Sequence, residues 1–352
     1  MVKSHTFLGG EDLDIQRRKD DHIRINLEED VRSALTTGLE RYQLPHEALP
    51  ELNLMDVETQ TTVFQKKVGM PLLISSMTGG TDATDRINAH LAEAAQTKKV
   101  AMGVGSERVL LEHPERTAQF RNIRKRAPDI PLFANLGAVQ LNYGVKKDDV
   151  LRIIDAIEAD GLILHLNPLQ EALQEGGNTD FSGLSSKISK LIPALPVPLI
   201  VKEVGWGIAP KTARLLYDAG VRVIDVAGAG GTSWSEVEKH RLWDEKKQKL
   251  ASSFVGWGIP TALSIELVKK EVPEATLWAS GGLTNGLDVA KVLLLGASMG
   301  GMAGRLLSAA QDGPEKIIDL LDLMQEELRL AMFLAGARTI AEFQTKSLIR
   351  HV

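Results

Sequence analysis

The chain has 352 residues, 43% hydrophobic and 25% charged, with no cysteine and a formal net charge of -5. That charge excludes a general attraction to nucleic acid or anionic membrane, so an anionic ligand has to be held by local cations. The absence of cysteine excludes disulfides, thiolate metal sites and a Cys nucleophile, and no apolar run approaches the ~20 residues of a membrane span. With no signal-peptide core near the start, a cytoplasmic protein is expected.

Residues 1–69 precede the first strand signal and include "RRKDDH" (17–22), dense in both signs of charge. Eight short β-prone runs follow: "MPLLISSM" (70–77), "VAMGVG" (100–105), "PLFANLG" (131–137), "GLILHLN" (161–167), "PLIVKEVG" (198–205), "VRVIDVAG" (221–228), "ATLWASGG" (275–282) and "ASMGGMAG" (297–304). Stretches of helical periodicity lie between them, among them "DRINAHLAEAAQTKK", "KDDVLRIIDAIEAD", "APKTARLLYDAG" and "NGLDVAKVLLLGA". Eight alternations of this kind predict an α/β fold, a (β/α)8 TIM barrel over 70–304 in a single domain spanning 1–352. The gap from 228 to 275 predicts a helical insertion after the sixth strand, and 305–352 predicts C-terminal helices. Within that tail, "LLDLMQEELRLAMFLAGA" reads as a buried helix in preference to a subunit contact. A doubly wound sheet is the alternative fold.

In a barrel the chemistry sits at the carboxyl ends of the strands. Those ends carry Ser76, Met77 and Thr78, then Ser106 and Arg108, then Asn135, then His165, Asn167, Gln170 and Glu171, then Lys202 and Glu203, then Asp225 and Thr232. Any one of them is as readily a cap or turn residue, but polar groups at six strand ends are a poor fit to turns alone. Glycine clusters in "MTGGT", "AGAGGT", "ASGG" and "GMAGR" add backbone N–H groups suited to an anion, and those after strands seven and eight suit a phosphate. Lys202 admits a Schiff base, a charge held against an electron-rich cofactor ring, or a plain pairing with Glu203.

"SSMTGG", "GSER", "HLNPLQE", "VKEVGWG", "AGAGGTSW" and "ASGG", in this order and with "RRKDDH" ahead of them, resemble the type 2 isopentenyl-diphosphate isomerases from about Ile15 to beyond Arg305. The resemblance implies a flavin-dependent barrel that interconverts isopentenyl and dimethylallyl diphosphate with reduced FMN and Mg2+, no net redox change, NADPH as reductant, and a homo-oligomer (tetramer or octamer). It assigns FMN to Ser76, Met77, Thr78, Gly79, Ser106, Asn135, Lys202 and Thr232, with its phosphate at Gly282, Leu283, Thr284, Ala303 and Gly304. Substrate falls to Arg18, Lys19, His22, Ser106, Glu107, Arg108, His165, Asn167 and Gln170, and magnesium to Glu171. Gln170, His165 and Lys202 are the catalytic candidates. Guanidinium, ammonium and a hard cation on carboxylate oxygen suit a diphosphate.

Three positions depart from the family pattern. Glu107 stands where Gln is common and would repel a diphosphate unless it turned away. Ala227 stands where many members carry Ser, and Asn178 where an acidic residue is frequent. The competing functions are a related FMN-dependent barrel oxidoreductase and a Schiff-base aldolase. A hydroxy-acid oxidase needs a histidine base with an arginine for the carboxylate, a constellation not evident here. A nucleotide dehydrogenase needs a cysteine that the chain lacks. A non-catalytic phosphate-binding module fits polar groups at so many strand ends poorly.

Overall fold

The computed structural model describes residues 8–77 and 82–350. Eight parallel strands close into a barrel: β1 (Leu72–Ile74), β2 (Ala101–Gly103), β3 (Leu132–Gly137), β4 (Gly161–Leu166), β5 (Leu199–Glu203), β6 (Val223–Asp225), β7 (Thr276–Ala279) and β8 (Met299–Met302). β8 returns to β1 in the register Gly300↔Leu72, Gly301↔Leu73 and Met302↔Ile74. Each strand lies inside one predicted run and is shorter, because ladder pairing stops where the chain peels away into the loops at either end.

The run 228–275 resolves into two parts. Helices Trp234–Lys239 and Glu245–Ser252 form the insertion, whereas Thr261–Glu271 packs beside β7 and the helix Pro210–Asp218 as an ordinary member of the outer ring. The tail helix Pro314–Leu334 buries Ile317, Leu321, Met324, Leu328 and Met332 against helices Asp82–Lys98 and Gly286–Leu294. That apolar stripe is spent within the chain, while Leu323, Leu330 and Leu334 of the same helix stay exposed.

The N-terminal region closes both ends of the barrel. At the amino end, strands Thr61–Val63 and Lys66–Val68 form a hairpin whose two turn residues, Phe64 and Gln65, have φ of 44° and 69°. Left-handed backbone at two non-Gly residues costs about 1–2 kcal/mol each. Offsetting this, the Phe64 ring meets Phe133 and Trp278, with centroids 5.8 and 5.9 Å away, and plugs the barrel. Lys66 holds the hairpin to Asp160 at 2.7 Å, and Arg124 reaches the same carboxylate at 2.7 Å. At the carboxyl end, helix Leu8–Glu28 packs on helices Trp234–Lys239 and Gly304–Gln311. Among the described residues no helix is long and apolar enough to cross a membrane.

Phe64→Ala should destabilise the protein by about 2–4 kcal/mol, since it leaves a void against two rings. Ligand binding at the opposite end should not change. Urea unfolding together with a ligand titration checks both halves of this expectation.

Candidate active site

One inward-facing side chain per strand builds an apolar layer: Leu73, Ala101, Phe133, Ile163, Ile200, Val223, Trp278 and Met299. Side chains alternate across a strand, so the next inward layer lies two residues further on. It comprises Ser75, Gly103, Asn135, His165, Lys202, Asp225, Ser280 and Gly301, all polar or Gly. Ser75, Asn135, His165, Lys202, Ser280 and Gly301 of this layer line a cavity of about 860 Å3 at the carboxyl end. The glycines keep its floor low. A Cβ on Gly103 would stand 2.6 Å from Ser76 Oγ, and one on Gly301 2.6 Å from Ser75 Oγ. Both serine hydroxyls are buried without a hydrogen-bond partner.

Lys202 is buried in this floor and donates to the carbonyl oxygen of Glu203 at 2.6 Å. The Glu203 carboxylate does not receive it. Its Oε2 accepts the N–H groups of Val204, Gly205 and Trp206 at 2.6, 2.7 and 2.6 Å. Asp225 is likewise committed, accepting the Ser280 N–H at 2.8 Å and its hydroxyl at 2.9 Å. Burial lowers the Lys202 ammonium while Asp225 and Glu203 support it. His165 places Nδ1 2.7 Å from Asn135 Oδ1, so Nδ1–H donates and Nε2 keeps its lone pair. Burial, with the neighbouring Lys202, takes His165 down to about 3, and it is a neutral imidazole.

Beyond β4 the chain turns directly into helix Pro168–Leu173, with proline in its first turn, which brings Asn167, Gln170 and Glu171 to one place. Asn167 Nδ2 donates to Gln170 Oε1 at 3.1 Å and to Glu171 Oε1 at 2.9 Å. Its Oδ1 is buried and has no donor. Glu171 Oε2 accepts the Asn178 N–H at 2.6 Å and the Gln174 side chain. The backbone of Asn178, whatever its side chain, thus serves this carboxylate.

A residue that sequence reasoning missed ties these groups to the N-terminal helix. Glu238, 1% exposed, accepts from His22 Nε2 at 2.9 Å and Gln170 Nε2 at 3.2 Å on one oxygen, and pairs with Arg241 at 2.8 Å on the other. Burial pushes this carboxyl up, but His22 and Arg241 prevail and hold it at about 2. Trp234 meets the His22 ring edge-on at 5.1 Å. Nothing local marks Glu238, because its role exists only once residues 216 apart in sequence are docked. Ser75 and Ser280 were also missed, although counting two residues on from the apolar layer would have found them.

The family model described as FMN-dependent dehydrogenase matches residues 170–350. The chain is 47% identical to the isopentenyl-diphosphate delta-isomerase of Rickettsia rickettsii (strain Sheila Smith) over 95% of its length and 97% of the relative's. It is 49% identical to that of Pseudescherichia vulneris (96% and 97%) and 51% identical to that of a Nostoc species (91% and 92%). The chain belongs to the type 2 isopentenyl-diphosphate delta-isomerase family. The solved structure of mandelate oxidase with (S)-2-phenylpropionate superposes with a TM-score of 0.66 at 19% identity, over 97% of this chain and 98% of that one, a likeness of fold.

The residues carried over from the family fall around one cavity. Arg18, Lys19, His22, Ser76, Met77, Ser106, Arg108, Asn135, His165, Asn167, Gln170, Glu171, Lys202, Thr232, Gly282, Leu283, Thr284, Ala303 and Gly304 all line it. Thr78 and Gly79 lie outside the described residues. Glu107 is the exception: its side chain is fully buried, does not line the cavity and points at Asn135, so that side chain is not placed to contact a ligand there. Arg108 turns its Nε to Glu112 at 3.0 Å. Thr284 spends its N–H and hydroxyl on Asp288, both at 2.8 Å, next to Asn285, whose side chain caps helix Gly286–Leu294. The N-terminus of helix Gly304–Gln311 has no side-chain cap, and no atom lies within 4 Å of where a Cβ on Gly304 would be. Its N–H groups are those placed for an anion. Ala227 also lines the cavity, at φ 38°, with its N–H on Asp225 at 3.2 Å.

Replacing Glu238 by Gln keeps the shape and removes the charge. The folded carboxyl, at about 2, lies below its ordinary 4.5, so its contribution is complete above pH 4.5 and fades as the pH falls toward 2. The stability difference between wild type and Glu238→Gln should be on the order of 3 kcal/mol at pH 6 and shrink toward zero in acid. Thermal melts as a function of pH, with proteolysis of the N-terminal helix as a second readout, check this.

Proposed function

We propose that this chain interconverts isopentenyl and dimethylallyl diphosphate, shifting a double bond with no net electron transfer, with reduced FMN and Mg2+ bound and NADPH as reductant. The observation that carries this reading is the group at the end of β4. A neutral His165, an unpartnered Asn167 Oδ1 and a Gln170 backed by the Glu238 carboxylate stand together beneath the cations of Arg18 and Lys19.

The floor fits a flavin. Two partnerless serine hydroxyls, a buried ammonium and glycines at Gly103 and Gly301 suit a flat polar ring, while the uncapped helix at Gly304 suits one terminal phosphate. No dinucleotide fingerprint follows a strand in the sequence, which favours FMN over a dinucleotide. When bound and reduced, FMN supplies an electron-rich ring, and Lys202 is placed to balance its charge. For magnesium, one carboxylate (Glu171) with the orphaned amide oxygen of Asn167 suits a cation that completes its shell with water and phosphate oxygens. Among the described residues no group of three His, Cys, Asp or Glu offers a protein-only cage.

The chain's own residues then divide the work. Arg18 and Lys19 grip the diphosphate. Neutral His165 lends a lone pair without adding positive charge next to a carbocation-like centre. An amide is a poor base, and Gln170 donates to a carboxylate held ionised by Arg241, a contact that fixes how its amide faces the cavity. An oxidase reading asks for a histidine base that can take up a proton near neutrality, which a His165 held at about 3 does not provide. Exposed Trp243, Leu250 and Trp257 on and beside the insertion support the homo-oligomer expected from the family.

The deciding experiment is an anaerobic assay with isopentenyl diphosphate, FMN and Mg2+. Reduced enzyme should turn over many times on one reduction and oxidised enzyme not at all; full activity of the oxidised form, or NADPH consumed once per turnover, overturns the proposal. A second expectation concerns Lys19. Burial, helped by Arg18 and Arg116, brings its ammonium down to about 8, and its Nζ has no hydrogen-bond partner. It is charged below pH 8 and neutral above, so the substrate KM should rise above pH 8 by nearly tenfold per unit. In Lys19→Ala the KM should be high throughout and this rise absent.

A further inference from the structure

β2 ends at Gly103, and the last hydrogen bond it gives β3 on that side comes from Val104, whose N–H donates to the carbonyl of Phe133 at 3.0 Å. The chain then turns away, yet β3 continues to Gly137. Glu107 fills the interrupted ladder. Its N–H donates to Asn135 O at 2.9 Å, and its carboxyl Oε2 accepts the Asn135 N–H at 3.0 Å. The side chain is 0% exposed and its Oε1 has no hydrogen-bond partner. Asn135 in turn takes the Nδ1–H of His165.

We infer that Glu107 stands as an uncharged carboxylic acid that completes the β3 ladder at Asn135 and thereby positions the Asn135–His165 pair in the cavity floor. A carboxylate here would have one N–H donor and, among the described residues, no cation acting on it. On its own turn, Arg108 pairs with Glu112 at 3.0 Å. β3 carries no ionisable side chain, and on β4 His165 spends Nδ1 on Asn135 Oδ1. On helix Lys147–Ala156, packed over this region, Lys147, Asp148, Arg152 and Asp155 are exposed, and Asp149 accepts the Lys146 N–H and pairs with Arg152. A buried charge so placed has no compensation, whereas a neutral acid leaves only one hydroxyl short of a partner. Burial accordingly pushes this carboxyl well above its usual range. Glutamine has the same length and the same acceptor oxygen without the charge, which accounts physically for Glu replacing it here. The inference holds whether or not the cavity takes a flavin.

The sign of the pH effect follows. Between the ordinary 4.5 and the raised folded value, the folded state holds one proton that the unfolded chain has lost, so the folding constant falls tenfold per pH unit in that window. Glu107→Gln lacks this dependence. Urea unfolding of both proteins from pH 5 to 9 should therefore show the variant gaining on wild type by about tenfold per unit until the difference levels off. Infrared difference spectra (wild type minus variant, pH 7) should contain a deuterium-sensitive carboxylic-acid C=O band. In wild type that band should vanish on the alkaline side together with a shift in the 15N signals of His165, a coupling that a merely space-filling Glu107 would not produce. A pH-independent stability difference with no acid band overturns the inference. So does an acid band that titrates while His165 stays unmoved. If the variant fails to fold, the joint titration in wild type still decides.

Discussion

A closed barrel sends half of every strand's side chains toward its axis, and nothing else reaches that space. The arrangement of this protein follows from how those inward positions are stacked. The Phe64 plug and the apolar layer from Leu73 to Met299 exclude water from the amino end. The layer two residues on is free to be polar because it opens on the cavity. Moving any strand by one residue would turn its polar group into the helix layer and its apolar neighbour into the site. Barrel closure therefore sets both stability and chemistry.

Low polarity beneath the site then governs its charges. Lys202 is surrounded by carboxyl groups that are already spoken for, Glu203 by three N–H groups and Asp225 by Ser280, so its ammonium stays directed at the cavity floor. His165 is neutral for the same reason, with burial and Lys202 both opposing a second cation. The negative charge is kept on Glu238, where a hydrogen bond from His22 and the guanidinium of Arg241 stabilise it. Arg18 and Lys19 of the N-terminal helix add positive charge to the cavity lining. The cavity thus combines a buried ammonium at Lys202, a neutral imidazole at His165 and the cations Arg18 and Lys19 in one lining.

The N-terminal region links the two ends of this design. Its hairpin plugs the base, and its helix completes the mouth through Ile25, which packs with Val31, Val237 and Trp234. Residues between them run close over the glycine-rich loops: Ser33 donates to Gly231 O at 2.8 Å, and a Cβ on Gly230 would meet Thr37 N at 2.3 Å. At that contact only glycine fits, which explains the glycine cluster after β6 as much as any ligand does.

Periodicity alone determined a good deal. Eight apolar runs alternating with amphipathic stretches imply a parallel barrel, and the polar residues ending those runs imply a site at one face, because both signals are local in sequence. The boundaries of the strands were not legible, since pairing depends on neighbours far along the chain. The same holds for Glu107, which reads as one more polar residue in a substrate motif and turns out to repair the ladder of β3. It holds for Glu238 too, an ordinary acidic residue of a short insertion helix until His22 and Gln170 are brought to it. Residue type and spacing say which chemistry a chain can assemble; which way each side chain faces, and therefore which carboxyl is charged, is decided only when the barrel has closed and water has been excluded.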